Sequence, residues 1–294
     1  MSAVCADTVL ACLRTRGLRV LSLWWVMYAL RGRYSQKRLQ IEAQRTLRYL
    51  LAHDLVCPIE GTAGTLVLVR EPAPEQEALD PLEVISEAYF EGLLAYETAF
   101  DFHGLSDSSS TTVHILMPNR RQPDYAVDRT FAFADVAWAP RPHAMSSFGG
   151  LEIVVHETRP EWVFGHSYGA VAHGHPRYTS LERSLIDGLR FARHCGGIDM
   201  VLRGWALSSR LYLDLDDVVS FTERLESGIL CQRVGFVLET LGHTHPRLAH
   251  WKATHAQRGG SRRLDPERPY DSAGFDETWK LSVNCPITPL LAAP

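Results

Sequence analysis

The stretch that decides the fold of the C-terminal half is Tyr178-Thr179-Ser180-Leu181-Glu182-Arg183-Ser184-Leu185-Ile186-Asp187. Thr179 and Glu182 have the spacing of a capping box, in which a hydroxyl and a carboxylate satisfy the N–H groups of a first helical turn. Apolar residues then recur at helical spacing: Leu181, Leu185, Ile186 and Leu189. We therefore expect an amphipathic helix over about residues 180–193, with its apolar face on a core.

The polar residues of this stretch predict a structural joint between a β-rich middle and a helical C-terminal half. Glu182 and Asp187 lie near a helix start, where the helix dipole favours acids. Arg183 stands four residues before Asp187, a spacing at which an exposed ion pair contributes about 0.2–0.5 kcal/mol. Loss of the Glu182 cap is expected to cost about 1 kcal/mol.

Two domains are expected from the length of 294 residues. A proline-rich stretch at residues 71–81 predicts a linker, so we place the domains at residues 1–72 and 73–294. Residues 1–72 hold ten Lys and Arg against five Asp and Glu, a net charge of +5; because the whole chain carries −4, the remainder carries −9. This division favours nucleic acid as a partner of the first domain and a different partner for the second.

The first domain has the element order of a winged helix-turn-helix. Helices are predicted over about residues 3–15, 22–31 and 35–53, with Ser22 as an N-cap and Gly32 as a stop signal. Two short β-rich runs, at residues 55–59 and 66–69, flank a glycine-containing turn and predict a hairpin.

The third helix has the composition of a recognition helix. A buried stripe is predicted for Leu39, Ala43, Leu47, Leu50 and Leu51. Long donors on the other faces suit base edges and phosphates. With the start of the helix and the wing turn included, the candidate DNA-binding residues are Ser35, Gln36, Lys37, Arg38, Gln44, Arg45, Arg48, Thr62 and Thr65. The same composition also suits a solvated helix in a bundle that does not bind DNA.

The second domain is predicted to mix α and β. A helix is expected over residues 82–105, ended by Gly104 as a C′ residue. Short strands are expected at residues 112–117, 130–137, 151–156 and 162–164, and helices at about 180–193, 198–207, 214–227 and 230–241. The fold class is therefore α+β, an N-terminal winged helix-turn-helix joined to a larger mixed domain.

Two sequence features, a G-x-S-x-G match and two histidine pairs, resemble catalytic or metal-binding motifs but lack the surrounding sequence that such sites require. Gly165-His166-Ser167-Tyr168-Gly169 matches G-x-S-x-G, but Gly174 and Pro176 deny it the helix that a nucleophile elbow requires. We therefore expect Ser167 at a β-turn, without a nucleophilic role. The pairs His173/His175 and His243/His245 could be metal ligands, particularly alongside Asp214, Asp216 or Asp217, but a helix-borne ligand motif is absent. No catalytic residue, metal or cofactor is expected.

The six cysteines are scattered, without a C-x-x-C pair, which favours reduced thiols and disfavours a disulfide framework or a zinc ribbon. The apolar run at residues 20–30 is too short to span a bilayer, and no signal peptide is evident. A cytoplasmic protein without a membrane partner is expected.

With these elements placed, the chain resembles the AbiEi family of antitoxins from type IV toxin–antitoxin systems. The resemblance rests on an ordered set of motifs: Ala99-Phe100-Asp101-Phe102-His103-Gly104-Leu105, Thr179 to Asp187, Gly196-Gly197-Ile198 and Arg233-Val234-Gly235-Phe236-Val237-Leu238-Glu239. The chain departs from the family at Leu181, where the family often has proline, and beyond residue 245, where only the final Trp-Lys-Leu run is family-like.

The resemblance implies a repressor that binds double-stranded DNA repeats in its own promoter. It also implies an antitoxin that opposes a nucleotidyltransferase-like toxin, functionally if not physically. Two alternatives stay open: a stand-alone winged-helix transcription factor, and a DNA-binding module fused to a nuclease- or hydrolase-like enzyme domain.

Overall fold

The computed structural model divides the chain into two compact units. Unit 1 comprises Met1–Leu93, Ile115–Val163 and Tyr168–Arg177, and unit 2 comprises Leu94–His114, Phe164–Ser167 and Tyr178–Pro294. The structure describes residues 2–70, 79–107, 110–119, 145–169, 174–211, 213–257 and 262–291. Most of the predicted linker, the predicted strand at 130–137 and His173 lie outside these ranges.

Unit 1 begins with three helices and three short strands. Their order is α1 (Ser2–Thr15), β1 (Val20–Ser22), α2 (Leu23–Leu30), α3 (Gln36–Ala52), β2 (Val56–Pro58) and β3 (Leu66–Val69). Ser22 caps α2 as predicted, because its side chain accepts a hydrogen bond from the N–H of Trp25. The helices share an apolar core in which Leu13, Met27 and Leu50 are almost fully buried.

The three strands form an antiparallel sheet in the order β1-β3-β2. Val20 pairs with Leu68 on one side of β3, and Cys57 pairs with Leu68 on the other. Since β3 is the central strand, its side chains are mostly buried. The sheet thus closes one side of the helical core.

Helix α4 (Pro81–Ala88) follows in unit 1, and the chain also forms a six-stranded sheet. The strands of this sheet are β4 (Leu93–Leu94), β5 (Thr112–Pro118), β6 (Ser147–Phe148), β7 (Leu151–Thr158), β8 (His166–Tyr168) and β9 (Arg177–Thr179), in the spatial order β6-β7-β5-β4-β9-β8. Asp80 caps α4 through the N–H of Leu82.

Two carboxylates of helix α4 accept hydrogen bonds from side chains of residues 19–25. Arg19 Nε donates to Glu83 at 2.8 Å; Glu83 is buried and Arg19 is partly buried. Glu87 accepts from the Ser22 hydroxyl at 2.5 Å and from the Trp25 indole N–H at 2.7 Å. Unit 1 therefore contains a partly buried polar layer beside its apolar core.

Unit 2 is mainly helical. Its elements are α5 (Glu97–Phe102), α6 (Leu181–Arg190), a 3-10 helix (Ala192–Cys195), α7 (Ile198–Leu211), α8 (Leu215–Arg224), α9 (Gly228–Thr240), α10 (Pro246–His255), the strand pair β10 (Phe275–Asp276) and β11 (Leu281–Ser282), and α11 (Thr288–Leu291). Leu185, Val201 and Trp205 are fully buried in its core. The mixed α and β class expected from the sequence is confirmed.

The family-like motif at residues 233–239 has a structural explanation in α9. Buried Arg233 donates to the carbonyls of Leu189 and Arg263, at 3.0 and 2.7 Å. A Cβ on Gly235 would lie 2.1 Å from the ring of Trp279, and the Trp279 indole N–H donates to Glu239 at 2.8 Å. The motif therefore holds the C-terminal tail against α9.

Three local expectations were wrong. The helix expected over residues 82–105 is broken into α4, β4 and α5, because Gly92 packs under β5 and Tyr96 has a positive φ of 55°. Residues 160–162 form a 3-10 helix where a strand was expected at 162–164. The N-cap of α6 is Ser180, whose hydroxyl accepts from Arg183 N–H, because Thr179 is the last residue of β9.

Gly104 follows the C-cap residue His103 and has a φ of +67°, so its predicted C′ role is confirmed. Within the described ranges, no helix combines the length and apolarity needed to cross a membrane.

Candidate nucleic-acid interface

Helix α3 presents a cationic face. The side chains of Lys37, Arg38, Arg45 and Arg48 are exposed, together with those of Gln40 and Gln44. Ile41 lies on the same side and is 51% exposed. Gln36 begins the helix. The described part of this face thus carries long hydrogen-bond donors around one apolar residue.

The opposite face of α3 explains this orientation. Leu39, Ala43 and Leu50 are buried in the core of the first helices, and Leu47 and Leu51 pack against it. Their spacing of three to four residues places all five on one side of the helix. The predicted buried stripe is therefore confirmed.

Two further candidate residues of this region, Arg45 and Ser35, are also exposed. Arg45 pairs with Glu42 at 2.8 Å, but the Arg45 side chain is still 62% exposed. Ser35, at the N-cap position, makes no side-chain capping hydrogen bond and is exposed. Arg45 and Ser35 both remain at the surface of the helix.

The two candidate threonines in the turn between β2 and β3 differ in exposure. Thr62 is fully buried, and its hydroxyl donates to the carbonyl of Ile59 at 2.7 Å. Thr65 is exposed and its hydroxyl donates to the carbonyl of Thr62 at 2.6 Å. Thr62 was therefore wrongly chosen as a contact residue, because its hydroxyl is needed to close the turn. Thr65 keeps its candidate place.

Two arginines between α2 and α3 were not among the predicted DNA-binding residues. Arg31 and Arg33 are both exposed. The Arg31 guanidinium lies 3.7 Å from the centre of the Tyr28 ring and donates to the Tyr28 carbonyl at 2.8 Å. The signal available in the sequence was the run Arg31-Gly32-Arg33, directly before the third helix.

In unit 2, most polar residues of α6 are buried. Arg183 and Asp187 are each 1% exposed, and Arg183 Nε donates to Asp187 Oδ2 at 2.8 Å. The guanidinium also lies 4.4 Å from the centre of the Phe164 ring. The expected pair is present, and it is buried because other parts of unit 2, Phe164 among them, cover this face of α6.

The remaining chemical motifs do not converge on one centre. Ser167 lies within strand β8, where a turn was expected. A Cβ on Gly165 would lie 3.0 Å from the Phe221 ring, so close packing explains this glycine. His243 contacts Ser209 at 2.6 Å, whereas His245 caps α10 and contacts Asp216 at 3.0 Å. His243 and His245 thus have separate partners.

Comparisons with known proteins leave the family open. The sequence matches no family of known proteins and no curated protein. The crystal structure of the RV2827C protein from Mycobacterium tuberculosis is similar to the chain with a TM-score of 0.45 and 16% identity, over 98% of this chain and 94% of that chain. The function must be argued from the chain's own residues.

Proposed function

We propose that this protein is a DNA-binding transcriptional autorepressor and the antitoxin of a type IV toxin–antitoxin system. In this proposal residues 1–70 act as a winged helix-turn-helix, α3 enters the major groove, and the β2–β3 turn is the wing. Unit 2 has no catalytic role and serves regulation and the opposition to a nucleotidyltransferase-like toxin. The antitoxin part rests on the motif resemblance to the AbiEi family.

The exposed cationic face of α3 is the observation that carries the DNA-binding part. A recognition helix needs an apolar face in the core of its domain and long donors towards the groove. Lys37, Gln44 and Arg48 meet the second requirement by their exposure. Arg38 and Arg45 suit phosphates, which supply most of the affinity for DNA.

The antiparallel sheet supports the same assignment. Its order, β1-β3-β2, leaves β2 at an edge, and the turn that follows β2 exposes Thr65. A wing of this kind contacts backbone phosphates beside the groove that holds the recognition helix. Arg31 and Arg33 add positive charge before α3.

Fluorescence anisotropy with the full chain and duplex DNA from upstream of its own gene tests the proposal. We expect binding whose affinity falls steeply with salt, with a slope of about −0.9 per neutralised phosphate. A duplex of the same composition and scrambled sequence is the control. Absence of binding to either duplex at low salt would contradict DNA recognition.

Co-expression tests the antitoxin part separately. If a toxin is encoded beside this gene, the full chain is expected to restore growth of cells that express that toxin. DNA binding without rescue would favour a stand-alone transcription factor. Metal-dependent nicking of the duplex by the purified protein would instead favour the fused-enzyme alternative.

A further inference from the structure

Unit 2 brings two histidines together that are distant in the sequence. His114 lies on β5 and His194 lies in the 3-10 helix after α6. Their ring centres are 5.6 Å apart, and their nearest ligand nitrogens lie within 4.8 Å of one another. This is a distance that a small change of side-chain rotamer converts into shared coordination of one ion.

The main chain on both sides of the pair is held in place. The N–H of His114 donates to the Thr98 hydroxyl at 2.8 Å, and its carbonyl accepts from Ala95 N–H at 2.9 Å. The N–H of His194 donates to the carbonyl of Phe191 at 3.0 Å. Two fixed attachment points lower the entropic cost of bringing both rings to one ligand.

Tyr96 stands beside both histidines. Its ring centre lies 6.1 Å from that of His114 and 5.4 Å from that of His194. Its φ of 55° is rare for a bulky residue, and such backbone strain persists where surrounding packing requires it. The strained tyrosine and the two imidazoles form a cluster at the start of α5.

Burial disfavours the charged form of both imidazoles. Burial, and then the neighbouring His194, lower the pKa of His114 to about 4. Burial and Arg193 lower the pKa of His194. His194 Nε2 accepts a hydrogen bond from Arg193 Nε at 3.1 Å, so this nitrogen has a lone pair. Metal ions require the neutral form of histidine.

We propose that His114 and His194 bind one divalent transition-metal ion, of the zinc class, within unit 2. Imidazole suits Zn²⁺, Ni²⁺ and Co²⁺ better than it suits Mg²⁺ or Ca²⁺. Binding through His194 Nε2 displaces Arg193, whose side chain is 63% exposed and free to move into solvent. Two protein nitrogens leave coordination positions for water or for further donors.

Titration of the metal-free full chain with Co²⁺ tests the site, because its visible absorption reports imidazole coordination directly. We expect one equivalent to bind and Zn²⁺ to displace it, while Mg²⁺ does not. His194→Gln is expected to weaken binding at least about tenfold, the lower range for loss of a group that supports a metal. His250→Gln, at an exposed histidine of α10, is the control and should bind like the parent.

His114→Gln should lose the metal as well, and its circular dichroism shows whether the buried substitution is tolerated. If that variant does not fold, two other measurements test the site. They are metal binding by His194→Gln and the rise in the melting temperature of the parent when Zn²⁺ is added. The proposal is overturned if the parent binds no stoichiometric Co²⁺, or if His194→Gln binds it as the parent does. These results do not depend on DNA binding, so they leave the proposed function to its own test.

Discussion

Helices α3 and α6 are both amphipathic and both begin after a serine, yet they use charged residues in opposite ways. On α3 the pair Arg45–Glu42 lies at the surface, with Arg45 62% exposed. On α6 the pair Arg183–Asp187 lies inside unit 2, with each side chain 1% exposed. An exposed charge is available to a ligand, whereas a buried charge needs its partner to be tolerated at all.

The comparison separates binding from architecture. The exposed cations of α3 are expected to change affinity for DNA with little effect on folding. The buried ions of α6 are expected to change folding with little direct effect on binding. Substitutions on the two helices, made in the full chain, therefore test both expectations: that α3 governs DNA affinity and that α6 governs folding.

The largest effect is expected for Asp187→Ala on α6. The substitution leaves Arg183 buried without its carboxylate, which typically costs about 3–5 kcal/mol. Thermal unfolding followed by circular dichroism measures the loss. Asp187→Asn, which keeps the size of the side chain, is the matched variant. If Asp187→Asn keeps its melting temperature but no longer opposes the toxin, α6 presents a functional surface.

The carboxyl group of Glu87 in unit 1 extends this comparison to the effect of pH on stability. Burial raises the pKa of Glu87 to about 7, although Ser22 and Trp25 donate to it. Between about pH 4.5 and 7 the folded protein holds a proton that the unfolded chain has lost, so stability falls as pH rises and then levels off. The penalty at pH 8 amounts to about 3 kcal/mol, at about 1.36 kcal/mol per pKa unit.

Glu87→Gln removes this titration. We expect the difference in melting temperature, variant minus parent, to be larger at pH 8 than at pH 5. Asp107→Asn, at an exposed carboxylate, is the control and should not alter the pH profile. Parallel profiles for the parent and Glu87→Gln would mean that Glu87 is ionised across this range.

On α3, Lys37→Ala and Arg48→Ala are expected to weaken binding of the cognate duplex. A base contact is worth roughly 1–3 kcal/mol and its loss relaxes specificity, whereas loss of a phosphate contact weakens all sequences and lowers the salt slope by about 1. Anisotropy with cognate and scrambled duplexes distinguishes the two. Unchanged binding in the double variant would move the interface to another surface.

The N-cap serines of the two helices form a matched pair. The Ser180 hydroxyl accepts from Arg183 N–H, whereas Ser35 makes no side-chain capping bond. Ser180→Ala is therefore expected to cost about 1 kcal/mol, and Ser35→Ala considerably less. Their melting temperatures give the comparison. Equal losses would mean that the Ser180 contact, at 3.4 Å, contributes nothing.

The smallest effect is expected for Glu42→Gln on α3. Exposed ion pairs on helices contribute about 0.2–0.5 kcal/mol, so loss of the Arg45 contact should barely change the melting temperature. Removal of a negative charge from this face should strengthen DNA binding slightly. Weaker binding by Glu42→Gln would show that Glu42 holds Arg45 in the orientation required for contact.

Much of the local structure followed from the sequence. The apolar spacing in α3 predicted its buried stripe, and Ser22 and Gly104 stand at the helix ends expected for them. The limits are also local. Thr179 and Ser180 are both good N-cap residues, and only the end of β9 at Thr179 decides between them. Helix periodicity could not detect the breaks at Gly92 and Tyr96.

The sequence by itself determined which residues share one face of α3 and of α6, because helical geometry sets those positions within a few residues. Tertiary structure alone decided that the polar face of α6 is covered, that Thr62 turns inward, and that His114 meets His194 across eighty positions of sequence. The physical reason is that periodicity depends on near neighbours, whereas burial of a charge or convergence of two rings depends on elements far apart in the chain.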